Sequence, residues 1–369
     1  MKKNLFVFAI CTLFFIPMSS PAAEKRVVKD AAGRHVPVPA SVERVICSGA
    51  GALRLLTYLQ AQDMAVAVDD MEKRQSRFDA RPYAFANPGF RNRPLFGEFR
   101  GHDNPEMILA LNPQPQVIFK TYGSMGYNPI ELQDKTGIPV IILEYGDLGK
   151  GKDSLYEALR IMGAAAGKEE RSRQVIAFFE SCIRELEDRT EGIPENRRKA
   201  TYVGGIAFKG PHGFQSTEPG YPPFGFVKAK NLAYKEVIKG QVLRQSNVAK
   251  EKIIEWDPEV LFLDLSTLQM GEDAGGLHEL RADPAYRTLR AVRKGEVYGV
   301  LPYNLYAQNF GSILANAYFV GKLLYPDRFQ DIDPSAKADE IYTFLVGKPV
   351  FAEMKRIFQG LPFEKIPLN

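Results

Sequence analysis

The sequence predicts an α/β protein of two lobes, each with a central, mostly parallel sheet, joined by a single long rigid α-helix. Three observations predict it. The segment Glu106-Met-Ile-Leu-Ala-Leu-Asn-Pro-Gln-Pro-Gln-Val-Ile-Phe119 returns 145 residues later as Glu251-Lys-Ile-Ile-Glu-Trp-Asp-Pro-Glu-Val-Leu-Phe262, two residues shorter. Each copy reads as an amphipathic helix stopped by an Asn/Asp-Pro pair and followed by a buried strand, so the chain carries one plan twice. Between the copies, Asp153 to Thr190 is helical in pattern with no strand signal. Its second piece, Lys168 to Asp188, covers ~21 residues or roughly 32 Å at the usual rise per residue. On either side, strand patterns alternate with helices, as a parallel or mixed sheet requires. Two such lobes leave a cleft between them.

The chain opens with Met1-Lys-Lys-Asn, an almost wholly apolar run from Leu5 to Ile16, and Pro17-Met-Ser-Ser-Pro-Ala-Ala23. Basic residues, a short apolar core and small residues at its end make residues 1–23 a secretory signal peptide, cut after Ala22 or Ala23. The apolar run is shorter than the ~20 residues needed to cross a bilayer. Ile10 before Cys11 does not suit a lipid-attachment site, so the mature chain is expected to be exported without an anchor. The first lobe spans residues 24–150. A turn at Gly33 between alternating apolar residues predicts a hairpin, and Val45 to Cys47 starts the first sheet. Ala52 to Gln60 is a helix with Leu53, Leu55, Leu56 and Leu59 apolar. The small-residue loop Ser48-Gly-Ala-Gly51 between them matches neither the dinucleotide fingerprint nor the P-loop. Ala65 to Val68 and Pro139 to Leu143 read as further strands. Residues 151–190 are the connecting helices. The second lobe, 191–330, has strand patterns at Lys199 to Val203, Leu261 to Leu265 and Glu296 to Leu301, and residues 331–369 form a helical C-terminal segment ending in a proline-punctuated tail.

With 45% hydrophobic residues the chain can bury a core. Its formal charge of +4 falls to +2 when the two signal-peptide lysines are removed, and nothing in that balance points to nucleic acid. Only Cys47 and Cys182 remain in the mature chain, one ending a strand pattern and one inside a helix pattern. Two buried free thiols are expected rather than a disulfide.

Ligands of open α/β sheets sit beyond the carboxyl ends of the strands, so the informative loops are those that follow each strand. In lobe one these are residues 48–51, 97–102 and 122–127; in lobe two, 208–224, 266–270 and 302–309. They are rich in aromatic residues, which suit a large planar or aryl-bearing ligand. The candidate ligand-binding residues are Ser48, Arg100, His102, Tyr122, Phe214, Tyr221, Tyr303 and Tyr306. Phe214 and Phe224 equally fit lobe core. Arg100 suits an anionic chelate, because a guanidinium matches carboxylate and catecholate oxygens. Arg74, Arg77, Arg81, Arg91 and Arg93 read as a basic rim or as ordinary surface charge. The histidines at 35, 102, 212 and 278 share no metal-ligand spacing, which favours a pre-formed complex over a bare ion unless His102 and His212 converge. The sequence carries no Gly-x-Ser-x-Gly elbow, no His-Glu-x-x-His and no phosphate loop.

The order Asp30-Ala-Ala-Gly-Arg34, Arg44-Val-Ile, Asn104-Pro-Glu-Met-Ile-Leu-Ala-Leu-Asn-Pro, the long helix, Lys250-Glu-Lys-Ile-Ile-Glu-Trp-Asp-Pro, Val292 to Tyr298 and Leu323-Leu-Tyr-Pro-Asp-Arg-Phe329 resembles the substrate-binding proteins of iron-siderophore and cobalamin ABC importers. The resemblance spans nearly the whole mature chain. It implies Rossmann-like lobes with small closure motions, a location in the periplasm, a monomer, and a permease of the cytoplasmic membrane as partner. It also implies a ferric siderophore or related chelate as ligand, with cobalamin or haem as the alternative, and no cofactor or catalysis of the protein's own. An exported hydrolase or ferric-chelate reductase on the same fold is the competing enzyme reading. In the family an acidic residue on each lobe docks on the permease; Glu218 matches in the second lobe, and the first-lobe partner is unassigned. The chain departs from the pattern at Arg54, where many relatives carry glutamate, and in the long basic connection from Asp69 to Phe96.

Overall fold

The computed structural model describes residues 25–235 and 243–368. The signal peptide, its cleavage site and Cys11 lie outside the described residues. Lobe one begins with the antiparallel hairpin of β1 (Lys25–Lys29) and β2 (His35–Pro39), turned at Gly33, whose φ of 80° favours glycine. Then come β3 (Val45–Ser48), α1 (Ala52–Tyr58), β4 (Val68–Asp69), α2 (Pro82–Ala86), β5 (Leu95–Glu98), β6 (His102–Asp103), α3 (Pro105–Leu109), β7 (Val117–Thr121), α4 (Pro129–Thr136) and β8 (Val140–Leu143). The sheet β3-β7-β8 is parallel, with Val45 opposite Val117 and Ser48 opposite Lys120. The strand expected at Ala65 to Val68 is displaced. Ala65 makes only an isolated bridge to Val45, and the strand at Val68–Asp69 joins a separate small sheet with β5 and β6. It stops there because the Asp69 carboxylate accepts the Met71 N–H at 3.1 Å and starts a turn.

The chain leaves lobe one through α5 (Lys152–Ala166) and the 22-residue α6 (Glu169–Thr190), which pack together. Lobe two contains β9 (Ala200–Gly204), β10 (Ser216–Thr217), α7 (Pro222–Phe226), β11 (Lys230–Asn231), β12 (Ser246–Asn247), α8 (Lys250–Trp256), β13 (Val260–Asp264), α9 (Gly275–Ala282), α10 (Arg290–Arg293) and β14 (Val297–Val300). Its main sheet, β11-β9-β13-β14, is parallel throughout. The sequence repeat is visible in three dimensions: α3 leads into β7 and α8 into β13, and each of these strands lies between two neighbours of its sheet.

Three helices close the chain, α11 (Phe310–Leu324), α12 (Pro334–Val346) and α13 (Phe351–Ile357). They make the joint between the lobes broader than one rod. The largely buried α11 packs on α6 and α7, and α12 returns to pack on α1 and α2 of lobe one. The tail after α13 is not helical; Pro362 and Lys365 bridge to Gly299 and Tyr298 at the edge of the lobe-two sheet. One apolar core is continuous from Val45 and Phe119 in lobe one through Phe179 on α6 and Phe310 on α11 to Phe262 in lobe two. The basic connection that follows β4 also crosses between the lobes: Phe78 and Ala80 are buried in the lobe-two cluster, and Phe78 stacks on Phe358 at 5.8 Å. Arg81 is no rim charge. It is buried between Glu72 at 3.1 Å and Asp79 at 2.8 Å, because a guanidinium removed from water needs carboxylate partners. Cys47 and Cys182 are both free and buried, and burial pushes the Cys182 thiol up to about 11. No described helix is long and apolar enough to cross a membrane.

Candidate functional site

A cleft of about 270 Å³ opens between the lobes, at the carboxyl ends of the strands. Lobe one contributes Phe99 and Arg100 after β5 and Tyr122 after β7; lobe two contributes Phe208 and Lys209 after β9 and the 304–308 loop after β14. Of the eight ligand-binding candidates, the structure brings Arg100, Tyr122 and Tyr306 to this cleft. All three hold left-handed backbone, with φ of 60°, 53° and 51°. Such conformations persist in non-glycine residues only where surrounding contacts enforce them, and they concentrate at functional sites.

The contacts that enforce them cross the cleft. The Tyr306 phenol donates to Asp69 and accepts the Arg100 N–H at 3.0 Å. The Phe99 ring lies 6.4 Å from that of Tyr306, and the Arg100 guanidinium lies over Phe99 at 5.2 Å. Tyr122 stacks on Tyr145 at 6.0 Å, and the Tyr145 phenol donates to the Gln308 carbonyl at 2.7 Å. At the rim, Arg244 of lobe two pairs with Asp147 of lobe one at 2.9 Å.

The remaining five candidates do not line this cleft. Ser48 is fully buried and accepts from Lys120, whose ammonium also pairs with Asp103 at 2.6 Å in the floor of lobe one. His102 is exposed on β6 and does not line the cleft. Phe214 is lobe-two core, edge-on to Tyr202 and Tyr286 at 5.4 and 5.1 Å. Tyr221 is buried against Phe224 at 4.8 Å. Tyr303 is fully buried and reaches the cleft only through Glu218, to which its phenol donates. Glu218 itself is 4% exposed and lines the cleft wall. The structure thus encloses this carboxyl in the cleft rather than presenting it on the outer surface, where the expected docking contact would be made. His102 and His212 do not converge, and no group of three metal-ligating side chains occurs among the described residues.

Sequence reasoning missed Phe99, Lys209 and Arg244 as cleft residues, and Asp69 as the buried partner of Tyr306. Arg54 stood out only as a departure from a pattern. The structure buries it at 1% exposure on α1, without a carboxylate at contact distance among the described residues, flanked by the rings of Tyr83 and Tyr145 at 5.1 and 5.9 Å. Burial raises the acids in and beside the site above the ordinary carboxyl range. Burial pushes Asp69 up to about 7 against the opposing pull of the Tyr306 phenol, and Glu218 up to about 8 against that of Tyr303. Asp264, at the end of β13, is pushed by burial to about 7 despite the donors of Ser266.

Two parallel-sheet lobes, a joint made of helices and a cleft at the strand ends define a class of bilobal extracytoplasmic binding proteins. The family model described as periplasmic binding protein matches residues 45–303, well over half of the chain, and the chain belongs to that family. It is 23% identical over 354 residues to the molybdate-binding protein MolA of Haemophilus influenzae, covering 88% of this chain and 92% of that one. The solved structure of MolA bound to molybdate superposes with a TM-score of 0.64 at 19% identity, over 88% of this chain and 98% of that one. A periplasmic solute-binding protein from Veillonella parvula gives a TM-score of 0.67 at 15% identity, over 91% and 97%. The TroA-like periplasmic binding protein FepB of the same organism gives 0.64 at 21% identity, over 87% and 96%. The chain is thus a periplasmic binding component of the ABC-importer class.

Proposed function

We propose that the protein captures a compact anion in the inter-lobe cleft and delivers it to the permease of its importer, acting as a monomer, by binding alone and without a resident cofactor. One observation carries this reading: Arg100, Lys209 and Arg244 line a cleft of about 270 Å³ in which the single carboxyl among the described lining residues, Glu218, is pushed up to about 8 by burial. Cationic forks and ammonium groups recognise oxyanions through charge-assisted hydrogen bonds. The cleft is smaller than the about 300–1,000 Å³ typical of pockets for drug-sized ligands. A tetrahedral oxyanion such as the molybdate bound by MolA suits it in size and charge.

A second reading, the ferric siderophore implied by the sequence resemblance, is favoured by the aromatic walls. Phe99, Tyr122, Phe208 and Tyr306 all line the cleft, and rings suit aryl chelates. Isothermal titration of the purified protein with molybdate, sulfate, phosphate, ferric catecholate and hydroxamate siderophores, haem and cobalamin separates the two. Saturable oxyanion binding that Arg100→Ala weakens by about tenfold or more supports the anion reading. Binding of a ferric chelate alone would replace it with the second, and no binding by any of these would remove both.

A further inference from the structure

The loop that carries Tyr306 is turned inside out by a residue that does not line the cleft. Arg54, on α1 of lobe one, donates to the carbonyl oxygens of Leu305 at 3.0 Å, Tyr306 at 3.1 Å and Gln308 at 2.9 Å. In a trans peptide the N–H points opposite to the C=O. The Tyr306 N–H shares a peptide with the Leu305 carbonyl, and the Ala307 N–H shares one with the Tyr306 carbonyl. Both amides therefore point away from Arg54. Residues 305–308 line the cleft and Arg54, which holds their carbonyls, does not, so the side of these peptides turned from Arg54 is taken as the side open to the cleft. Neither amide has an acceptor among the described residues.

The backbone conformation aligns the pair. Tyr306 and Ala307 take φ of 51° and 66° in succession. A left-handed turn is unfavourable for non-glycine residues, and it stacks successive N–H groups on one side as any helical turn does. Successive amides that converge on open space make an anion-binding concavity. Here the concavity faces the same space as Arg100 and Lys209.

We propose that the amides of Tyr306 and Ala307 form the anion seat of this cleft, and that Arg54 is its positioning residue, holding the two peptides by their carbonyls from behind without touching the ligand. This rests on the anion reading above. A buried guanidinium suits the task because its fork of donors engages several carbonyls at fixed directions, which an ammonium cannot reproduce. The charge of Arg54, which pairs with no carboxylate at contact distance among the described residues, also lies behind the seat and favours an anion in front of it.

The test is a titration of the purified protein, labelled with ¹⁵N at alanine and tyrosine, with sodium molybdate, sulfate and phosphate, read by amide NMR. Tyr306→Phe and Ala307→Gly identify the two resonances. Both are expected to shift downfield, saturably, and further than any other alanine or tyrosine amide. Arg54→Lys should weaken binding by about tenfold and shrink the Ala307 shift; retention of the wild-type melting temperature would separate this from a folding defect. If Arg54→Lys does not fold, the wild-type titration decides alone. An oxyanion that saturates the protein while these amides stay still overturns the seat and leaves the anion reading standing. Absence of binding by all three anions overturns the anion reading, and the seat with it.

Discussion

The Tyr306 phenol of lobe two donates to the Asp69 carboxylate of lobe one, a contact between residues 237 positions apart in sequence. It joins the end of β4 to the cleft-lining loop after β14. Tyr306→Phe keeps the ring and removes the donor, leaving a buried carboxylate with less satisfaction. A loss of about 1–3 kcal/mol is expected, measured as a lower urea midpoint at pH 8; an unchanged midpoint would show that the contact contributes nothing to stability.

The buried acids predict how stability varies with pH. Asp69 and Asp264 are raised to about 7 and Glu218 to about 8 in the folded state. In this range the folded protein binds more protons than the unfolded chain, so the slope of unfolding free energy against pH is negative. The contribution is fully present below about pH 4, the ordinary carboxyl range, and is lost as pH rises through 7 to 8. Melting temperature is expected to fall between pH 5 and 8.5, and Asp264→Asn to flatten part of that fall. A melting temperature that rises across the window would contradict the assignment.

Glu218 predicts a pH dependence of binding with the same sign. Above about pH 8 it ionises inside the cleft and opposes a bound anion. Oxyanion affinity should therefore decline from pH 7 to 9 in the wild type and decline less in Glu218→Gln. Calorimetry at three pH values would show it, and parallel profiles in the two proteins would exclude Glu218 as the cause.

Lys120 and Asp103 form a fully buried pair at 2.6 Å within lobe one. Lys120→Met leaves the carboxylate uncompensated and is expected to cost about 3–5 kcal/mol. Adding Asp103→Leu should recover most of that loss, since an apolar pair needs no compensation. Chemical denaturation of both variants tests the coupling, and additive losses would refute it.

Phe78→Ala removes the ring that stacks on Phe358. The expected cost is about 3–5 kcal/mol, in a single cooperative transition seen identically by near- and far-ultraviolet circular dichroism. Two separate transitions would mean that the lobes unfold independently.

Much of the architecture was legible because it is periodic. The helix-strand repeat at residues 106–119 and 251–262 became α3-β7 and α8-β13, and the 168–188 helix became α6 with its ends shifted by one or two residues. The loops that form the cleft were also legible, since strand ends determine where they lie. Which way a loop side chain turns was not. Phe214 and Tyr221 sit in the right loop and face the core, while Phe208 and Lys209 of that loop line the cleft. Orientation depends on local φ and on distant partners: Tyr306 reaches the cleft only because Asp69 and Arg54, each more than 200 residues away, hold its side chain and its carbonyl. The burial of Glu218 was illegible for a related reason. An acid in a loop reads as solvated until a tyrosine 85 residues on is seen to cover it.

The crossing of Phe78 and Ala80 into the second lobe changes what the repeat means. Read along the chain, the two halves look like separable units that could be cut near residue 150 and grown apart. In the folded molecule each half would emerge with a raw apolar wound: the first with Phe78 uncovered, the second with Phe358 missing its mate. The duplicated plan has become a single indivisible body, and half of it is not a smaller version of the whole.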